Sequence, residues 1–132
     1  MTNERQEYIR NWIYRAREDI AVMENLEISG IEYYTSTICF HAQQAVEKYL
    51  KAFLIYKNVD FPRTHDVDYL LIECQKIDDE NFHFDFKNLT EFGVSVRYPD
   101  DFYIPSITEA KEYIDLSKDV KGVIETLLRS VI

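Results

Sequence analysis

The sequence predicts an all-α protein, an antiparallel up-and-down bundle of four main helices plus a short one. Two observations carry this. Breakers are scarce, with three Gly and three Pro among 132 residues that are 46% hydrophobic, which disfavours a turn-rich β-fold. Apolar residues also recur every three or four positions along most of the chain, the period of a helix that buries one face. The length fits one domain, residues 1–132, with a core that needs neither metal nor disulfide.

The first helix is expected from about Asn3 to Glu27. Tyr8, Trp12, Ala16, Ile20 and Met23 set its stripe, Ile9, Ile13 and Leu26 widen it, and Ser29-Gly30 ends it. The second spans about Glu32 to Lys57, with Ile38, Ala42, Ala45, Tyr49, Ala52, Phe53 and Tyr56 inward. Glu47 and Lys51 stand one turn apart, an ion pair expected on its wet face. The loop NVDFP follows, since Pro62 cannot continue a helix. Asp66 is placed to cap a third, shorter helix ending near Lys76, with Val67, Leu70, Leu71 and Cys74 inward. After the polar turn Asp78-Asp79-Glu80-Asn81, a fourth helix is expected over about Asp85 to Val96 through Phe86, Leu89, Phe92 and Val96, closed by Pro99. Ser106 with Glu109 three residues on has capping-box spacing. The helix it opens runs to about Val131 through Ala110, Tyr113, Ile114, Val120, Ile124 and Leu127. Repeats, low-complexity stretches and linkers are absent from the pattern.

Composition narrows function. A net charge of −9 repels phosphate backbones and argues against broad affinity for duplex DNA, while leaving room for a local basic pocket. Cys39 and Cys74 lie in apolar helical context without paired spacing, so they read as buried thiols of a reducing compartment. The opening MTNERQEYIRNWIYRARED is too charged for a signal peptide, and no apolar run approaches the ~18 residues that span a membrane. A cytoplasmic protein is the expectation. No histidine pair has metal-ligand spacing, and no cofactor motif stands out.

Three segments add a resemblance: HAQQAVEKYLKAFL at 41–54, FPRTHDVDYLL at 61–71 and RYPDDF at 97–102. In this order and spacing they resemble the HEPN domain family, and Ala16 with Asp19-Ile20 in the first helix also fits. The resemblance implies a helical bundle that dimerises, and one of two roles. Some members are metal-independent endoribonucleases whose catalytic pattern is an arginine, four to six residues, then a histidine. Others bind nucleotides or act as the helical partner of a minimal nucleotidyltransferase. The histidines here are His41, His65 and His83, and Arg63 stands only two residues before His65, so the ribonuclease spacing is missing. That spacing matters because RNA cleavage needs a base at the 2′-hydroxyl and a cation at the developing phosphorane, both within contact distance. Nor does the chain carry a Gly-rich phosphate loop, or the Gly-Ser pair with spaced aspartates of a nucleotidyltransferase active site.

The candidate ligand-binding residues follow. Arg97, in the stretch VRYPDDFY, suits bidentate phosphate contact, or else an ion pair with a nearby carboxylate. Tyr98 suits base stacking or end packing, and Asp100 suits a hard cation or helix capping. Arg63 and His65 stand at a helix N-terminus, which favours an anion, although Asp66 competes as the cap. His41, with Gln44 and Lys48 one and two turns further on, lines either a pocket or the core; Lys48 and Lys51 otherwise read as solvated lysines with packed stems. Tyr33-Tyr34 suits a partner surface or a partly buried helix start. The first expectation is therefore a non-catalytic nucleotide-binding homodimer that partners a minimal nucleotidyltransferase in a toxin–antitoxin-like system. A ribonuclease toxin pairing Arg97 with His65 or His41, and a purely structural homodimer, are the alternatives.

Overall fold

The computed structural model describes residues 1–93 and 103–132. Its helices are α1 (Asn3–Gly30), α2 (Thr35–Tyr56), α3 (Val67–Ile77) and α4 (Ile107–Leu127), with 3₁₀ turns at Ile31–Tyr33 and Leu89–Gly93 and no strand among the described residues. The all-α expectation holds.

The ends follow from local chemistry. Thr2 caps α1 by accepting from the Arg5 N–H. Gly30, at φ +140°, carries the chain out of α1 in a conformation that residues with a Cβ rarely adopt. This is why α2 starts at Thr35 rather than near Glu32. Asp66 caps α3 through the N–H groups of Asp68 and Tyr69, and Ser106 caps α4 through that of Glu109. The Glu109 carboxylate accepts from the Tyr103 hydroxyl at 2.8 Å.

The core is built around α2, whose Ile38, Ala42, Val46, Tyr49, Leu50 and Phe53 are fully buried. A helix apolar on nearly every side has to sit inside its neighbours. Cross-chain contacts set their directions. Arg5 donates to the carbonyls of Ile55 and Tyr56, and His41 meets Asp19, so α1 and α2 run antiparallel. Arg10 donates to the Val131 carbonyl while Lys118 faces Glu24, so α1 and α4 are antiparallel too. Cys39 and Cys74 are both buried free thiols, and burial pushes the Cys39 thiol up to about 12.

Two expectations fail here. The helix foreseen over Asp85–Val96 is a 3₁₀ turn confined to Leu89–Gly93 within the described residues. Asp85 accepts from the Lys87 N–H and Lys87 takes φ +49°, so the chain turns where a helix would have continued. Phe82 and Phe86 are buried on this irregular segment, and Phe82 lies 4.7 Å from Phe53 between ring centroids. The second failure concerns Glu47 and Lys51. Their side chains are only 4% and 6% exposed, so the pair is buried, not on a wet face. The stretch 57–66 folds back beside α2, setting Phe61 5.8 Å from the Lys51 ammonium and the His65 carbonyl against Gln43. The solvated reading of these lysines fails with it.

Candidate functional site

Two acid-centred clusters occupy the seam between α1 and α2. In the first, Asp19 receives His41 Nδ1 at 2.8 Å and the Lys48 ammonium on its other oxygen. In the second, Glu47 receives the Lys51 ammonium at 3.0 Å and His65 Nδ1 at 2.8 Å. Gln43, fully buried, donates to the His65 carbonyl at 2.8 Å and to Glu47 at 3.3 Å, and accepts from Gln44 at 2.7 Å. Gln43 thereby ties the returning loop to the helix below it. Gly93 makes room for that contact, because a Cβ there would lie 2.9 Å from the Gln43 amide.

Residues at i, i+4 and i+3 intervals order both clusters. His41, Gln44 and Lys48 fall on one side of α2, and Gln43, Glu47 and Lys51 on the adjoining side. Asp19 is held by two nitrogen groups and Glu47 by three, the arrangement that makes a buried charge tolerable. With its proton on Nδ1, the His65 ring donates to Glu47 and leaves Nε2 available. The His65 side chain is 69% exposed, so a buried acid orients an accessible imidazole.

A cleft of about 400 Å³ opens beside the second cluster, lined by Tyr8, Asn11, Trp12 and Arg15 of α1 together with Glu47, Lys48, Lys51 and His65. Its volume lies within the ~300–1,000 Å³ of small-molecule sites. Tyr8 meets Trp12 edge-on at 6.2 Å, and the Lys51 ammonium sits 5.4 Å from the centre of the Trp12 ring. Tyr8, expected in the inward stripe, is instead 52% exposed at this rim.

A family model described as the HEPN domain matches residues 9–130. The chain belongs to the HEPN family. No curated protein and no solved structure matches it. Within this HEPN fold, His41, Gln44 and Lys48 come from the family-like segment 41–54 and His65 from the segment 61–71, and the fold brings these two segments together. Arg97, Tyr98 and Asp100 lie outside the described residues.

Not every sequence candidate enters the cleft. His65 and Lys48 line it, His41 sits behind it on Asp19, and Gln44 is spent on Gln43. Arg63 is exposed on the loop. The α3 N-terminus is already occupied by the Asp66 carboxylate, which accepts from two of its N–H groups, so the anion expected there has a built-in substitute. Among the described residues no three His, Cys, Asp or Glu side chains are placed to share a metal ion, and no helix is long and apolar enough to cross a membrane. Sequence reasoning missed the α1 wall. The signal was available, since Tyr8, Trp12 and Arg15 fall on one helical face with Asp19 a turn beyond.

Proposed function

We propose that this HEPN protein is a non-catalytic nucleotide-binding module, acting as a homodimer and as the helical partner of a minimal nucleotidyltransferase in a two-component, toxin–antitoxin-like system. The observation that carries the binding role is the cleft itself. Aromatic rings of Tyr8 and Trp12 stand on the same wall as the Arg15 guanidinium, with the Lys48 and Lys51 ammonium groups opposite. Rings offer stacking to any base, and the cations offer charge-assisted bonds to a phosphate. The partner role rests on HEPN membership together with the absence of nucleotidyltransferase motifs in the sequence. Arg97, Tyr98 and Asp100 belong to the proposal through the RYPDDF segment alone.

The test uses the one tryptophan of the chain, which lies in this cleft. Titration with ATP, GTP and their shorter relatives is expected to change Trp12 fluorescence saturably at micromolar ligand, with matching calorimetric heat. Lys48→Ala or Arg97→Ala should weaken binding without loss of helicity. A flat titration across all nucleotides would remove the reading.

The oriented imidazole favours a second reading. A carboxylate that fixes a histidine tautomer is a common way to set up a general base. Under this reading the protein cuts RNA in the presence of EDTA, and His65→Ala abolishes the cutting. Intact RNA under those conditions leaves the binding module.

A further inference from the structure

The charges around the cleft restrict what kind of nucleotide it would hold. Three cations line it, Arg15, Lys48 and Lys51, but two are already committed. Lys51 is bonded to the buried Glu47, and Lys48 to the buried Asp19. These carboxylates cannot turn away to water, since both are buried within the α1–α2 seam. Three positive charges against two fixed negative ones leave one in excess, and Glu18, 3.5 Å from Arg15 on the exposed side, trims even that. A proton on His41 or His65 would add at most one charge each, and both rings already face these carboxylates. The rest of the surface is acidic, with a net charge of −9 for the chain.

Resting on the nucleotide-binding reading, we infer that the cleft selects a nucleotide with a single phosphate group and discriminates against di- and triphosphates. Arg15 is the lining cation whose pair, with exposed Glu18, is weak and open to water, so one phosphate group can take the place of Glu18 there. Each further phosphate would enter an acidic field with no uncommitted cation to meet it. The layout of α1 sets the orientation. Tyr8 and Trp12 precede Arg15 on the same wall, and from Tyr8 to Arg15 the helix rises roughly 10 Å. The base therefore lies against the rings and the phosphate at the Arg15–Lys48 end. Asp19 beneath Lys48 is then a positioning residue that sets the charge limit without touching the ligand.

The experiment titrates adenosine, AMP, ADP and ATP into the full chain by calorimetry and Trp12 fluorescence at fixed salt. AMP is expected to bind at least tenfold more tightly than ATP, with ADP between and adenosine weaker than AMP. In Asp19→Asn, which releases Lys48 from its counter-charge, the AMP preference over ATP should shrink by about tenfold. Should that variant fail to fold, the salt dependence of the native protein decides, with an ATP dependence no steeper than that of AMP expected. ATP binding as tightly as AMP, or with a steeper salt slope, overturns this inference and leaves nucleotide binding standing. An unchanged AMP-to-ATP ratio in a folded Asp19→Asn protein overturns the role of Asp19. No binding by any of the four sinks both the inference and the reading beneath it.

Discussion

Two of the acidic side chains clasped by cations make a useful contrast: Glu47 faces the cleft and Glu125 ties helices together. Glu47 is held by Lys51 and His65 beside the open wall of α1. Glu125 on α4 is held by Arg17 from α1 through two bonds of 2.9 and 3.0 Å, by the Tyr49 hydroxyl at 2.7 Å and by Lys121 at 3.0 Å. The Glu125 cluster joins α1, α2 and α4 and spends its bonds on holding them together. The Glu47 cluster leaves an imidazole largely exposed. An ion cluster alone is thus a poor marker of function. The distinguishing features are the volume next to it and a partner with a nitrogen to spare.

The strongest way to break the comparison is Glu47→Ala. It strands the Lys51 ammonium, only 6% exposed, without its carboxylate. Removing one member of a buried pair costs about 3–5 kcal/mol, so urea unfolding should show a loss of that order. A loss under 1 kcal/mol would mean that Lys51 escapes to water and that the pair is not needed for the fold.

Next comes Gly93→Ala. Its Cβ would fall 2.9 Å from the Gln43 amide, a clash that moves the side chain anchoring the His65 carbonyl. Overpacking of this kind costs about 1–3 kcal/mol. The same variant should disturb Trp12 fluorescence on ligand addition, because the loop above Glu47 loses its tie. Native stability together with native ligand response would dismiss Gln43 as the link.

Glu125 offers a smaller, pH-dependent effect. Burial alone would raise its pKa, but bonds from Arg17, Tyr49 and Lys121 outweigh that and hold the carboxyl at about 2 against an ordinary 4.5. A depressed folded-state pKa contributes stability that is fully present above the unfolded value near 4.5 and is lost as pH falls through the folded value near 2. Partial solvent access limits the effect to about 1 kcal/mol. Stability followed from pH 6 to pH 2 should decline less steeply in Glu125→Gln than in the native chain. Parallel curves would remove Glu125 from the acid response.

The contrast between the clusters also marks where the sequence was legible. Helix periodicity and caps were readable because they depend on near neighbours, as with Asp66 on Asp68 and Tyr69, or Ser106 on Glu109. The Phe82–Phe86 stretch misled because its spacing suits a helix while Asp85 and a positive φ at Lys87 turn the chain locally. Burial of Glu47 and Lys51 could not be read from α2 at all. It depends on the segment 57–66 lying back over that face, a contact between residues 18 apart for His65 and Glu47. The α1 wall was hidden for a similar reason: Trp12 looks like core in a periodic stripe until its partners across the seam are known.

The smallest expected stability effect is the most discriminating. His65→Ala removes a side chain that is mostly in water, and Glu47 keeps Gln43 on the same oxygen and Lys51 on the other. Surface changes of this kind usually stay within about 0.5 kcal/mol. The Glu47 cluster therefore predicts near-native urea stability for His65→Ala together with a clearly altered cleft, read as weaker nucleotide binding or lost RNA cutting. Arg17→Ala, its counterpart at Glu125, should change stability and leave the cleft response alone, since Arg17 lines no part of it. If His65→Ala instead unfolds the protein as readily as Arg17→Ala does, and ligand response merely follows the folded fraction, then both clusters are clamps. The exposed imidazole would then have no task beyond holding the loop to α2.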